Sequence, residues 1–199
     1  MGILKLTPGE FQDITYTPKE LTLFWQNYFA TLSINFSKLF CKYTREPISV
    51  RYLHRDTVKG KQYFDAVFEK SVIKVFQVAP DRGLGFLFLT DDLTNYFLNS
   101  ILGSSDMNYG RSSLVTNTSY KLLENILDDM LALLHREFKK SHREVLFEEI
   151  EQDKIPFLSH SNEAQQMISV QQFLVVSGSY SFVFDIAFTN SLLETSVLL

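Results

Sequence analysis

The stretch GLGFLFLTDDLTNYFLNSILG, residues 83–103, predicts a strand that leads directly into a helix. Residues 86–89 form a short apolar run behind two glycines, which is typical of a buried strand. Thr90 and the pair Asp91-Asp92 then favour a helix start, because a hydroxyl can cap free N–H groups and acids complement the helix dipole. Gly103 suits the left-handed position that ends a helix.

Two capping boxes lie upstream, Thr7-Pro8-Gly9-Glu10 and Thr17-Pro18-Lys19-Glu20. In each box Thr can cap the first N–H groups, Pro fits the first helical position, and Glu lies three residues after Thr. Each box is expected to open a helix.

Two long amphipathic helices are predicted from apolar residues spaced three and four apart. In the first helix these residues are Leu21, Phe24, Trp25, Tyr28, Phe29, Leu32, Phe36, Leu39 and Phe40. In the second they are Leu122, Leu123, Ile126, Leu127, Met130, Leu131, Leu134 and Phe138. Strands are expected at residues 48–52, 72–78, 86–89, 145–150, 168–176 and 180–188.

The two halves of the chain resemble each other at an offset of 99 residues. This shift pairs Leu23 with Leu122, Phe76 with Val175 and Thr90 with Thr189. It indicates a duplicated unit of helix, three strands and short helix, although chance agreement among common apolar residues is the alternative. We therefore expect an α+β fold in α/β/α layers, with repeats at about residues 20–103 and 116–199 around a pseudo-twofold axis. Residues 1–19 would form a capped segment before one domain at 20–199.

Composition and motifs exclude several classes of protein. The net charge of −4 over 199 residues argues against nucleic-acid binding. The four histidines form no HExxH pattern and the single Cys41 has no cysteine partner, so neither a metal nor a cofactor is expected. Cys41 is expected to be a buried structural thiol beside Leu39 and Phe40. Without an apolar run long enough to span a bilayer, the protein is expected in the cytoplasm.

The 83–103 stretch resembles the middle domain of the flagellar motor switch protein FliM family, in which a Gly-rich turn, an apolar strand and an amphipathic helix are followed by a Gly-Gly-x-Gly loop. The resemblance extends over about residues 20–199, including Ser161-Asn162-Glu163 before a strand. That family shares its fold with the CheC-type phosphatases, which consist of two pseudo-symmetric halves. The resemblance thus agrees with the duplication inferred from the residues.

The resemblance implies partners and sites. Gly103, Ser104, Ser105 and Asp106 occupy the place of the family's FliG-binding loop. The alternative is that Gly103 only terminates the helix and that the loop has no binding role. An N-terminal peptide of the family captures the phosphorylated response regulator CheY, and it would correspond here to Leu6, Thr7, Glu10, Phe11 and Ile14. The alternative is an ordinary N-terminal helix packed on the domain. Neighbouring FliM copies and FliN are the further partners implied.

The resemblance also argues against catalysis. CheC-type enzymes carry Glu-x-x-Asn on their long helices, whereas here Glu20 is followed three residues later by Leu23, and Glu124 by Leu127. Asp92-Leu93-Thr94-Asn95 is a near match with a shorter acid on a different helix. A non-enzymatic switch component at the cytoplasmic side of the flagellar basal body is therefore expected. The alternatives are a diverged response-regulator phosphatase and a scaffold protein of a type III secretion apparatus.

Overall fold

A computed structural model describes residues 18–67, 71–79, 83–103, 117–141, 146–149 and 166–189. The elements, in chain order, are α1 (Pro18–Phe40), β1 (Ile48–Lys59), α2 (Gly60–Val67), β2 (Ser71–Ala79), β3 (Gly83–Thr90), α3 (Asp91–Leu102), α4 (Asn117–Ser141), β4 (Leu146–Glu149), β5 (Met167–Ser177) and β6 (Tyr180–Thr189). The two predicted long helices and all six predicted strands are present.

The six strands form one antiparallel sheet in the order β1-β5-β6-β3-β2-β4. Reading the order from the other end exchanges β1 with β4, β5 with β2 and β6 with β3, which is the signature of a pseudo-twofold axis. The axis passes between the central strands, where Leu87 pairs with Ile186, 99 positions later. The predicted α+β duplication is therefore confirmed, and the offset of 99 holds for β3 and β6.

The offset differs for the other elements. Only Gly178 and Ser179 separate the last paired residues of β5 and β6, whereas four positions, 79–82, separate the last paired residues of β2 and β3. Phe76 pairs with Gly85 and its counterpart Phe173 pairs with Phe184, so β2 and β5 correspond at an offset of 97. The predicted match of Phe76 with Val175 was wrong, because the two hairpin connections differ in length.

The long helices correspond at an offset of 98. Trp25, Phe29 and Leu32 are buried in α1, and the residues 98 positions later are the buried Leu123, Leu127 and Met130. At an offset of 99, Trp25 would instead match Glu124, which is exposed. The predicted offset of 99, which pairs Leu23 with Leu122, is therefore one residue too large for the long helices.

The main core lies between one face of the sheet and the helices α1, α3 and α4. It is unusually aromatic: Phe173 stacks on Phe184 with centroids 4.8 Å apart, and Phe36 meets both rings edge-on. Burying such large apolar side chains is the dominant stabilising contribution to folding. This core fixes the positions of α1, α3 and α4, on which the candidate sites lie.

The opposite face of the sheet carries a smaller core covered by α2. Phe64 of α2 is buried against Phe86 and Phe88 of β3, at centroid distances of 4.9 and 6.2 Å. Three layers are thus present, as expected, but α2 was not predicted. The predicted strand at 48–52 also continues to Lys59, paired along β5 with a bulge between Tyr52 and His54.

Cys41 is exposed, which corrects the prediction of a buried thiol. The last buried position of α1 is taken by Phe40, and Cys41 follows in the turn after the helix. Its Sγ lies 3.7 Å from the carbonyl oxygen of Ile48.

Candidate functional site

The C-terminal end of α3 has the geometry expected for a glycine stop. Gly103 is left-handed, with φ 75°, and its backbone N–H donates to the carbonyl oxygen of Asn99. Left-handed backbone favours glycine because a Cβ would crowd the following carbonyl group. Ser104, Ser105 and Asp106 lie outside the described residues, so the binding role of this loop stays a prediction.

At the other end of the helix, the predicted start is observed but its cap is not. Thr90 precedes α3 in extended conformation, and Asp91 and Asp92 occupy the first turn. The Thr90 hydroxyl makes no cap hydrogen bond and donates instead to the carbonyl oxygen of Val183, at 2.9 Å. The side chain thus ties the helix start to β6.

Arg45 lies directly over Gly103. It belongs to the segment between α1 and β1, and a Cβ built on Gly103 would lie 2.7 Å from its Nη2 atom. The guanidinium therefore sits at the end of α3 where the carbonyl groups give a negative partial charge. A cation from a distant part of the chain thus borders the predicted loop, which sequence spacing could not reveal.

The turn between β5 and β6 lies beside the same end of α3. The hydroxyls of Tyr96 on α3 and Ser177 on β5 are 2.7 Å apart. Ser177 Oγ also lies 3.5 Å from Glu46 Oε2 and 3.4 Å from the carbonyl oxygen of Pro47. Three segments distant in sequence therefore meet in one hydrogen-bonded group.

Apolar side chains are exposed around this group. Leu102 has 67% of its surface exposed, and Ile101 and Tyr180 are also exposed. The Tyr180 ring stacks on Phe182, which in turn contacts Tyr96 of α3 with centroids 5.0 Å apart. We call Ile101, Leu102, Gly103 and Tyr180 the α3 end. An exposed apolar group bordered by charged residues is typical of a protein-binding surface.

A second surface feature is a groove of about 400 Å³ between α1 and α4. We call it the α1–α4 seam, and the residues that line it are Asn35, Lys38, Leu39, Lys42, Asp129, Ala132, Leu133 and Arg136. Asp129 accepts a hydrogen bond of 2.8 Å from the Tyr43 hydroxyl and lies 3.8 Å from Lys42 Nζ. Burial and this hydrogen bond raise the pKa of Tyr43 to about 12.

A polar cluster on the α2 face of the sheet was not predicted. The Tyr63 hydroxyl of α2 donates to Asp185 of β6, and Gln172 donates to the same carboxylate at 3.3 Å. His54 and Asp56 on β1 lie 3.0 Å apart nearby. Burial raises the pKa of Asp185, against the opposing effects of both hydrogen bonds and of His54. The signal that could have indicated this cluster is an acid within the otherwise apolar β6.

The residues three positions after Glu20 and Glu124, on the two long helices, are both leucines. Leu127 is buried in the core, and Leu23 is an exposed apolar side chain. In the described parts of α1 and α4 no acid is followed three residues later by Asn. Asp92 and Asn95 lie on α3, where Asp92 is exposed and Asn95 half-buried.

The remaining predicted site residues, Leu6, Thr7, Glu10, Phe11 and Ile14, lie outside the described residues. Within the described ranges no three His, Cys, Asp or Glu side chains are grouped so as to hold a metal ion. Among the same residues, no helix is both long and apolar enough to cross a membrane.

Known structures share this architecture, although no family model and no curated protein matches the sequence. A chain of the FliG–FliM complex from H. pylori superposes with a TM-score of 0.77 at 14% identity, covering 92% of this chain and 99% of that one. The FliM middle domain from Vibrio alginolyticus gives 0.70 at 14% identity, with coverage of 89% and 99%. This chain has the FliM middle-domain fold.

The same fold occurs in FliY. FliY from Thermotoga maritima superposes with a TM-score of 0.69 at 12% identity, covering 92% of this chain and 96% of that one. The likeness to FliM and FliY extends over nearly the whole of each chain, so it concerns the complete sheet and its helices rather than one motif. At these identities it establishes the fold, while function rests on the surfaces described above.

Proposed function

We propose that the protein is a non-enzymatic, FliM-like component of the flagellar motor switch, placed in the cytoplasmic ring at the basal body. The observation that carries the proposal is the superposition on a chain of the FliG–FliM complex over 92% of this protein. FliG and neighbouring copies of the same chain are the proposed partners. FliN and phosphorylated CheY are further proposed partners, with Leu6, Thr7, Glu10, Phe11 and Ile14 as the CheY-binding peptide.

The α3 end is the proposed FliG-binding surface. Its exposed Leu102 is followed by the left-handed Gly103, whose missing Cβ leaves room for the guanidinium of Arg45. Ser104, Ser105 and Asp106 complete the proposed loop. An apolar side chain beside a cation offers both the buried contact and the polar rim that protein interfaces use.

The proposed role is non-enzymatic because neither long helix, in its described part, carries the Glu-x-x-Asn spacing with which CheC-type enzymes hold an attacking water. Such a water must be held in line with an acyl-phosphate by a polar side chain at a fixed position. The positions three residues after Glu20 and Glu124 hold Leu23 and the buried Leu127. Neither side chain has a hydrogen-bonding atom.

Calorimetric titration with FliG from the same organism tests the proposal. Leu102→Glu places a charge in the proposed contact and is expected to weaken binding about tenfold or more, as for other central interface residues. Because Leu102 is 67% exposed, the fold of this variant is expected to be unchanged. Leu23→Glu is the matched control: Leu23 is 50% exposed on α1, far along the chain from α3, and its substitution is expected to leave the affinity within about twofold.

Two results would contradict the proposal. The absence of FliG binding by the unmodified protein would remove the switch assignment itself. Equal weakening by Leu102→Glu and Leu23→Glu would leave the assignment but remove the α3 end as the binding surface.

A further inference from the structure

The α1–α4 seam carries cations at positions related by the pseudo-twofold axis. The long helices correspond at an offset of 98, and this offset matches Lys38 with Arg136 and Lys42 with Lys140. All four side chains are exposed. The same charge thus recurs at equivalent positions of the two halves. Lys38, Lys42 and Arg136 line the groove, so both sides of it carry a cation.

The acids beside the seam pair mainly with Lys42 and Lys140. Asp129 already accepts from Tyr43 and pairs with Lys42, and the nearly buried Glu137 lies 2.8 Å from Lys140. Arg136 reaches Glu137 only at 3.5 Å, a poor hydrogen-bond distance. Within the described residues, no carboxylate lies within ion-pair distance of Lys38. Lys38 on one side of the groove therefore has no ion-pair partner among the described residues, and Arg136 on the other side has only this long contact.

The floor of the seam is apolar. Leu39 of α1 and Leu133 of α4 line it, each with 6% of its surface exposed, and Ala132 is exposed beside them. A groove of about 400 Å³ between two helices is large enough for side chains of a second chain. Apolar floor and cationic rim together fit a ligand that is apolar along one stripe and acidic beside it.

We propose that the α1–α4 seam binds an acidic amphipathic segment of a partner protein, through a surface separate from the α3 end. The carboxylates of the segment pair with Lys38 and Arg136, while its apolar side chains cover Leu39 and Leu133. A protein segment fits better than a nucleic acid or a lipid surface, because the chain as a whole carries a net charge of −4 and repels extended polyanions. Three cations, Lys38, Lys42 and Arg136, nevertheless lie together along this one groove.

A fluorescein-labelled helical peptide of repeated Glu-Glu-Leu-Leu units serves as the probe in fluorescence anisotropy with the full chain. Lys38→Glu and Arg136→Glu are each expected to weaken binding about fivefold or more, because a reversed charge turns attraction into repulsion. Lys61→Glu is the matched control: it makes the same change in net charge on α2, which covers the opposite face of the sheet, and is expected to change affinity by less than about twofold.

Two altered peptides separate the floor from the rim. Replacing Glu by Gln, or Leu by Ser, is expected to abolish measurable binding in each case. Lys38→Gln repeats the test without a new charge and guards against misfolding of the charge-reversed variant.

Three outcomes would overturn the proposal. The first is equal weakening by Lys61→Glu and Lys38→Glu, which would mean that only overall charge matters. The second is full binding of the Ser-substituted peptide. The third is binding to phosphatidylglycerol vesicles or duplex DNA without binding to the acidic peptide.

Discussion

At the scale of single residues, Asp185 shows how burial can outweigh favourable hydrogen bonds. Its carboxylate accepts from Tyr63 and Gln172, and both bonds favour the charged form. Removing the carboxylate from water has the larger effect, so the pKa of Asp185 in the folded protein is raised. The folded state therefore holds this proton more tightly than the unfolded chain.

This raised pKa predicts a pH-dependent contribution to stability. The contribution is fully present below the unfolded pKa and is lost as the pH rises through the folded pKa. Asp185→Asn removes the titration but keeps an oxygen that can accept from Tyr63. As the pH is lowered from about 7 to about 4, the unfolding free energy of the unmodified protein should therefore rise relative to that of Asp185→Asn. Urea unfolding of both proteins across this range measures the difference. A constant difference, or one that moves the other way, would show that Asp185 is not held as described.

At the scale of elements, the two central hairpins fill equivalent space differently. In β5 and β6, Phe173 stacks on Phe184 across the strands. At the equivalent place in β2 and β3, Phe76 lies across Gly85, and its ring atoms are as little as 2.1 Å from where a Cβ of residue 85 would be. One hairpin therefore uses two rings, whereas the other uses one ring and a glycine.

Gly85→Ala should destabilise the protein strongly, because the new methyl group would overlap the Phe76 ring, which also stacks on Phe147 and cannot move freely. Overpacking of this kind costs about 1–3 kcal/mol of unfolding free energy, as measured by urea unfolding. Ser181→Ala, an exposed position on β6, is the control and should cost less than about 0.5 kcal/mol. Combining Gly85→Ala with Phe76→Leu should cost less than the two single changes together, since the smaller side chain leaves room. Strict additivity would argue against this contact.

The same elements show what sequence patterns could and could not predict. The long helices and β6 have clear periods of 3.6 and two, and they were predicted nearly to their ends. By contrast, α2 has only Tyr63, Phe64 and Val67 as large apolar residues and begins at a glycine, so its helical pattern is weak. The second half of β1 alternates poorly because its pairing partner β5, rather than its own pattern, holds it extended. Likewise, Arg45 meets Gly103 only through the tertiary fold.

At the scale of the whole molecule, the sheet joins the two halves by exchanging strands. Of the five ladders among the described strands, only β2–β3 and β5–β6 lie within one half. The ladders β1–β5, β2–β4 and β3–β6 all cross between halves. The α3 end and the α1–α4 seam are each built from both halves, so partner binding at either surface depends on this exchange.

Neither half should therefore fold alone. A fragment of residues 1–103 keeps α1, yet it loses the partners of β1 and β3 and exposes the apolar face that packs against α4. Trp25, the single tryptophan, is buried against Phe138 of the second half in the intact chain. Its fluorescence should be red-shifted in the isolated fragment, without a cooperative urea transition, and should return toward that of the intact protein on mixing with residues 104–199. A cooperative transition in the first fragment alone, with emission already that of a buried tryptophan, would contradict the interdependence of the halves. The intact chain should unfold in a single transition, because three ladders and the α1–α4 packing must break together.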